Sequence, residues 1–475
     1  MKKFPVFLLM MFVSLFIWAQ ENQENFDNFD DFAPNIQEPE AIEIKEFNEV
    51  NESNESNEND KEPPKPSGFR LKNRTVELSV ANISVGFSND FIAFTDIFQS
   101  PFYMLRNINT IRQNPKFIYQ DNIVIDFDKF FEGFTFNFNA DIKPVSFNFN
   151  WKDKWGFGFD IGHISATGNV SVSENVLRLE RARDEEIDTG AAVFVDVGVP
   201  VFFHVDEVKI KIRPAAYVPI LYTKPSITYT HKDKDGGSYI EVVYDMRLYT
   251  IIDVNDDDIM QNLQNYAQDI PKNNMGYDLG LNVEYPWNYD LDVGMNMVNI
   301  PIPYATAKLH YYSRSTGYAK LDTSRIDLSD LGDEDKSPED VLENAWDEKH
   351  ETIYGYDSDG KKIYRPFSTL FYLNYRPFDT KILSLIPSLG FSLNWLYNKI
   401  FSVEGGLNVR FDFANIFIPV FGINYNDRIW RNSVDLAFNL RVFEIDFGLS
   451  MQSRDFIKSF QGVGLGANFG IKLGW

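Results

Sequence analysis

The chain has no cysteine among its 475 residues. That excludes a disulfide framework, a lipid anchor on a thiol and a thiol nucleophile together. Only five histidines are present, at His163, His204, His231, His310 and His350, and none stands in a metal-binding spacing such as His-Glu-x-x-His. Beyond the first 20 residues no apolar run approaches the roughly 18 residues needed for a spanning helix, so any later membrane crossing must use strands. Neither a phosphate-cradling glycine motif nor a Gly-x-Ser-x-Gly elbow occurs, and no cofactor is implied. Lys and Arg number 45 against 69 Asp and Glu, a net charge of −24. The sign is wrong for a nucleic-acid partner.

What the sequence does have is unevenly spread. Lys2 and Lys3 precede an unbroken apolar stretch from Phe4 to Trp18, and Ala19 occupies the last position before a cleavage point. Residues 1–19 therefore read as a signal peptide for export; Ile17, where a small residue is usual, leaves an uncleaved anchor as the alternative. Residues 20–68 read as a disordered acidic leader. Between Gln20 and Pro66 stand 15 Asp and Glu against three Lys, a net of −12 and half the charge of the chain. The repeats of Asn, Glu and Ser over 51–60, followed by Pro63, Pro64 and Pro66, cannot bury enough apolar surface to offset the entropy of ordering. A docking segment using Phe26, Phe29 and Phe32 is the alternative to a solvated linker.

From about residue 69 to 475 the dominant signal has period two, which sends alternate side chains to opposite faces of a strand. Phe134, Phe136, Phe138, Ala140 and Ile142 alternate with Thr135, Asn137, Asn139 and Asp141. Val403, Leu407, Val409 and Phe411 alternate with Ser402, Glu404, Asn408 and Arg410. A soluble sandwich also alternates. Many such strands with one polar face and aromatic ends fit a barrel whose apolar side meets lipid. Trp151, Trp155, Trp287, Tyr289, Trp395, Tyr425 and Trp430 fall at strand ends, where amphipathic rings form interfacial girdles; aromatic caps on a soluble sheet are the plainer alternative.

At the C-terminus, Val463, Leu465, Ala467, Phe469, Ile471, Leu473 and Trp475 make one apolar face. Asn468-Phe-Gly470-Ile-Lys-Leu473-Gly-Trp475 resembles the last strand of outer-membrane β-barrel proteins of diderm bacteria. The resemblance covers eight residues and implies an assembly signal at Asn468, Gly470, Leu473 and Trp475, recognised by the barrel-insertion machinery through its strand edge. Lys472, on the opposite face, is expected to tolerate replacement by Ala.

The fold expected is all-β: a transmembrane antiparallel barrel of about 14 strands, with 12 to 18 as the range, from boundaries that are loose by several residues. Counting hairpins back from a periplasmic C-terminus places 313–365 outside as a long extracellular loop. Ser337-Pro338-Glu339-Asp340 predicts a helix running to about His350, and Asp359-Gly360 a small hairpin turn. Over 90–116, Phe91, Phe94, Phe98, Phe102, Leu105, Ile108 and Ile111 recur at three and four residues, predicting a helical insertion broken at Pro101 and set at a rim or inside the lumen.

No catalytic constellation stands out, and an enzyme is not expected. His163 and Ser165 share a strand face, but two residues without an orienting partner are a weak site. Asp253-Val-Asn255-Asp-Asp257-Asp258 starts like a calcium loop yet has Asp at position six and Gln264 at position twelve. The leading expectation is passive passage of small or hydrophobic solutes. With about 14 strands and a helical insertion, the chain is loosely similar to the long-chain fatty-acid transporter family, although it lacks that family's Asn-Pro-Ala element near the mature start. A structural or surface-adhesion barrel presenting the 313–365 loop is second, and a lipid-acting barrel enzyme third. Outer-membrane lipid, the insertion machinery and an unidentified solute are the expected partners.

Overall fold

Alternation along the chain becomes strand pairing from Val76 onward. The computed structural model describes residues 74–88, 117–120, 123–126, 133–151, 154–177, 182–234, 237–251, 275–322, 324, 346–378, 382–440, 442–460 and 464–474. The signal peptide, the acidic leader, the helical insertion over 90–116, the acidic turn at 253–258 and Trp475 lie outside the described residues.

In chain order the elements are β1 (Val76–Ser88), β2 (Phe117–Gln120), β3 (Ile123–Asp126), β4 (Gly133–Trp151), β5 (Trp155–Ser173) and the short helix α1 (Glu174–Leu177). They continue with β6 (Ala182–Gly198), β7 (Val201–Val205), β8 (Val208–Thr223), β9 (Ser226–Lys234), β10 (Gly237–Thr250), β11 (Gly276–Pro286), β12 (Leu291–Pro301), β13 (Ala307–Asp322) and β14 (Trp346–Ile363). The last are β15 (Phe367–Tyr375), β16 (Leu383–Leu393), β17 (Phe401–Phe411), β18 (Phe417–Asn426), β19 (Ile429–Asn439), β20 (Phe443–Ser453) and β21 (Gly464–Gly474). Apart from the β2–β3 hairpin, they form one 19-stranded antiparallel sheet. It closes on itself, because β1 pairs with β21 on one side and with β4 on the other.

Several elements are consecutive lengths of one stave. β5 pairs with β6 and then β7; β6 pairs with β8 and then β9; β8 meets β11 low and β10 high. In the same way β10 and β11 face β13 and β12, which in turn face β14 and β15. Among the described residues the closed circuit thus passes through β1, β4, β5, β6 with β7, β8 with β9, β10 with β11, β12 with β13, β14 with β15, and β16 through β21 singly. Among the described residues every strand of the closed circuit except β14, which pairs only with β13, has a partner on both sides, and paired edges are the condition for a sheet in hydrocarbon.

Facing follows the alternation. Phe136, Phe138, Leu389, Val403, Leu407, Phe421, Val434, Leu449 and Phe469 stand exposed on the outer surface, Leu389 to 66% and Leu449 to 54%. Their neighbours Thr135, Asn137, Glu404, Arg410 and Gln452 are buried. The polar residues therefore point into the barrel, and the apolar ones out of it.

The segment 313–365 departs from the expected loop. β13 and β14 pair from Ala307↔Ile363 to Leu321↔Trp346, so most of it is a long strand pair. His350, expected to end a helix, lies within β14, and Gly360 sits inside the same strand at a register shift rather than in a hairpin turn. Gly360 has φ of 70°, and a Cβ there would come within 2.7 Å of the His310 ring. The physical reason is length: roughly 9 to 11 residues cross a bilayer, so the 16 residues of β13 and 18 of β14 extend beyond it. Both faces of the extension meet water, and the sequence WDEKHETIYGYDSDGKKI shows no apolar face to read.

Candidate functional site

The lumen is divided. One sector, made by β5, β6, β8, β11 and the junction of β14 with β15, carries isolated charges in otherwise apolar strands. His163 Nδ1 lies 2.7 Å from Asp196 and its Nε2 2.8 Å from Asp141. Arg213 donates to Asp160 at 2.7 Å and to Asp196 at 2.6 Å. Arg365, reaching inward from the β14–β15 junction, donates through Nε and Nη2 to both oxygens of Asp278, at 2.6 and 2.7 Å, and through Nη1 to Asp196. Burying these charges is tolerable only because each is paired and hydrogen-bonded. Asp196 thus accepts from three neighbours on three staves and ties the wall together across the lumen.

This layer also holds the histidine of the His163–Ser165 pair. His163 finds a polar partner, in fact two, but carboxylates engage both ring nitrogens. A base needs a free ring nitrogen facing its nucleophile, and none is left for Ser165.

Beside the charges, Phe194, Tyr217, Tyr222, Tyr249, Leu309 and Ile363 fill the same sector with an apolar cluster. Tyr217 donates to the carbonyl of Ile363 at 2.9 Å, and the Arg365 guanidinium lies 5.1 Å from the centre of its ring. The loop 394–400 between β16 and β17 completes the cluster with buried Leu396. Lys224 Nζ donates to the carbonyls of Trp395 and Tyr397 at 3.3 and 2.9 Å, while Asn398 donates to Asp188 and Glu186, both at 3.1 Å. The approach depends on Gly190, where a Cβ would stand 3.1 Å from the Leu396 carbonyl. Tyr397 in turn donates to Asp427 in the β18–β19 turn at 3.1 Å. Burial pushes the Asp427 carboxyl above its usual range, opposed by hydrogen bonds from Asn394 and Tyr397.

The other sector, from β18 round to β4, is lined by small polar side chains and glycine. Here a cavity of about 190 Å³ opens between Ser84, Asn139, Asn424, Asn426, Arg431, Ser433, Asp435, Ser450, Gln452 and Asn468. It needs its glycines: a Cβ on Gly448 would fall 2.0 Å from Asp435 Oδ1. Gln452 Oε1 and Arg431 Nε are buried against it without a hydrogen-bond partner among the described residues. Unsatisfied polar groups of this kind favour a polar occupant.

The residues singled out in the sequence fall into separate groups. Asn468 faces the lumen and donates to Asp435 at 2.7 Å, Gly470 is buried, and Leu473 is exposed on the outer face. All three belong to β21, whose two edges are occupied by β20 and β1. Trp151, Trp155, Trp287 and Tyr289 stand exposed at the end of the barrel where β1 begins and β21 finishes. Tyr425 and Trp430 meet with ring centres 4.9 Å apart, tilted by 43°, at the far end. Trp395, half-buried on the inward loop, lies 5.3 Å from Tyr364. Asp196, Arg213, Asp278 and Arg365 were not singled out. Asp196 is marked in the sequence as a single charge inside an apolar strand, VFVDVG, whereas Arg365 lies between β14 and β15 and carries no such mark.

A closed antiparallel barrel with an apolar exterior and a polar interior is the architecture of bacterial outer-membrane barrels. No protein-family model matches the chain, and no curated protein matches it in sequence. Among solved structures, the chain is similar to the toluene transporter TbuX of Ralstonia pickettii at 9% identity and TM-score 0.38, covering 85% of this chain and 90% of that one. The toluene transporter TodX of Pseudomonas putida aligns at 7% identity and TM-score 0.36, covering 85% and 89%. A FadL homologue of Pseudomonas aeruginosa aligns at 10% identity and TM-score 0.34, covering 84% and 88%. Likeness at this level assigns neither a family nor a substrate to the chain.

Proposed function

We propose that the protein resides in a bacterial outer membrane, exported by a cleaved signal peptide, and lets small solutes pass along the polar side of its lumen. The observation that carries this is the cavity beside Arg431 and Gln452, with partnerless polar atoms against it, while the facing sector is packed with ion pairs and aromatic rings. Hydrophobic solutes are the other class expected from the sequence, and they form the second arm of the test. Full-length protein reconstituted in liposomes is compared with empty liposomes for swelling in small polar solutes and for uptake of a small aromatic hydrocarbon. Accelerated entry of either class supports passage; entry of neither refutes it.

The surface-adhesion alternative has its own support in the β13–β14 pair, which carries exposed Tyr354 and Tyr356. Loss of cell attachment with unchanged solute entry after shortening that pair would favour it. On the same footing, the end of β21 with Trp475 is proposed as the segment met by the insertion machinery, and the aromatic residues at the two ends as headgroup girdles.

A further inference from the structure

Two charges in the polar cavity have no ionic partner among the described residues. Arg431 donates from Nη2 to the side-chain oxygen of Asn139 at 3.3 Å, leaves Nε unused, and forms no ion pair with a described residue. Asp427 and Glu404 act on it only from beyond ion-pair distance. Asp435 accepts from Asn468 and likewise forms no ion pair with a described residue. Arg213, Arg365, Arg376 and Lys472, by contrast, each lie against a carboxylate. Arg431 and Asp435 stand four residues apart on β19, so both point into the cavity and their Cα atoms are about 13 to 14 Å apart by strand rise. Between them the lining is Ser433, flanked by Gly448, Ser450 and Gly466 on β20 and β21, which offers hydrogen bonds and little bulk.

Resting on the passage proposed above, we propose that this cavity selects small zwitterions, amino acids or dipeptides, whose carboxylate meets Arg431 and whose ammonium meets Asp435. A fork of N–H donors suits a carboxylate, and a lone carboxylate suits an ammonium. The two charges attract opposite ends of one molecule, so a solute with a single charge satisfies one of them and leaves the other bare. A volume of about 190 Å³ is far above the roughly 10 to 15 Å³ that one water needs.

The test uses full-length protein in liposomes with glycylglycine as the zwitterion, arabinose as a neutral solute, and glycinamide and N-acetylglycine as single charges. Glycylglycine binding in detergent micelles is measured separately by saturation-transfer NMR. At low concentration, glycylglycine is expected to enter about tenfold faster than the other three, the ratio that one charge-assisted contact of ordinary strength allows. Arg431→Gln and Asp435→Asn should each bring glycylglycine entry down to the rate that the same variant shows for arabinose, and Arg431→Lys should restore part of the preference. Equal entry of glycylglycine and arabinose in the wild type, or a preference that survives both substitutions, overturns zwitterion selection while leaving passage intact. Binding without entry of any solute supports the site and overturns passage. Neither binding nor entry overturns both.

Discussion

Arg365→Met removes the one cation that serves Asp278 and Asp196 together. The two carboxylates are buried to 3% and 2% exposure, and Arg365 to 3%, so water cannot replace the guanidinium. Removing one partner of such a pair leaves an uncompensated buried charge, at a cost of about 3 to 5 kcal/mol. That is roughly two to nearly four orders of magnitude in the unfolding equilibrium. The built-in control is Arg314, which contacts Asp245 through two similar bonds of 3.0 and 2.8 Å but is about a third exposed, as is its partner. Solvent and salt screen an exposed pair, so Arg314→Met should unfold like the wild type. Lys at position 365 keeps the charge but not the fork and should fall between the two. Arg365→Met with Asp278→Asn should recover part of the loss, because neutralising both partners removes the bare charge. The assay is denaturant unfolding of the protein in lipid vesicles, followed by tryptophan fluorescence and by the shift of the heat-modifiable band. If Arg365→Met and Arg314→Met unfold at the same denaturant concentration, the ionic layer does not support the wall.

Lys472→Ala, which the alternation alone marks as tolerated, should instead destabilise, because Lys472 lies 2.6 Å from both Glu444 and Asp446 and Glu444 is buried; reduced unfolding resistance of the inserted barrel checks it. Leu473→Lys, outward on the neighbouring position, should lower the inserted fraction, with a cost of roughly 1 kcal/mol near the interface and 2 to 4 at the midplane; an unchanged inserted fraction would reverse the facing assigned to β21. Lys224→Met should free the 394–400 loop and raise single-channel conductance in planar bilayers, and identical conductance would show that the loop does not limit the path. Deleting residues 21–66 should leave the amount of heat-modifiable barrel unchanged, since acidic sequence of that composition contributes no core; misassembly would reveal a docking role.

The wall of the barrel was legible residue by residue. Phe136 and Phe138 outward, Asn137 inward, Val403 outward and Glu404 inward all follow from period two. Counted back from the C-terminus to residue 366, the alternating segments near 462–475, 444–451, 433–442, 417–425, 402–413, 385–395 and 366–375 coincide with β15 to β21. This worked because lipid outside and a polar interior put opposite demands on successive residues, and those demands are local. Where both faces meet water, as over much of β13 and β14, the demand disappears and the strands read as a loop. The lumen was not legible for a different reason. Asp196, Arg213, Asp278 and Arg365 lie on four staves separated by up to 169 positions, and their partners are set by which staves face one another across the closed sheet. His163 looked like half of a catalytic pair until Asp141 and Asp196 took both its nitrogens. The same holds for Arg431 and Asp435: their shared strand face follows from sequence, but their lack of ionic partners does not. A strand's facing depends on its own residues, whereas a lumen contact depends on stagger and closure, which only the assembled barrel possesses.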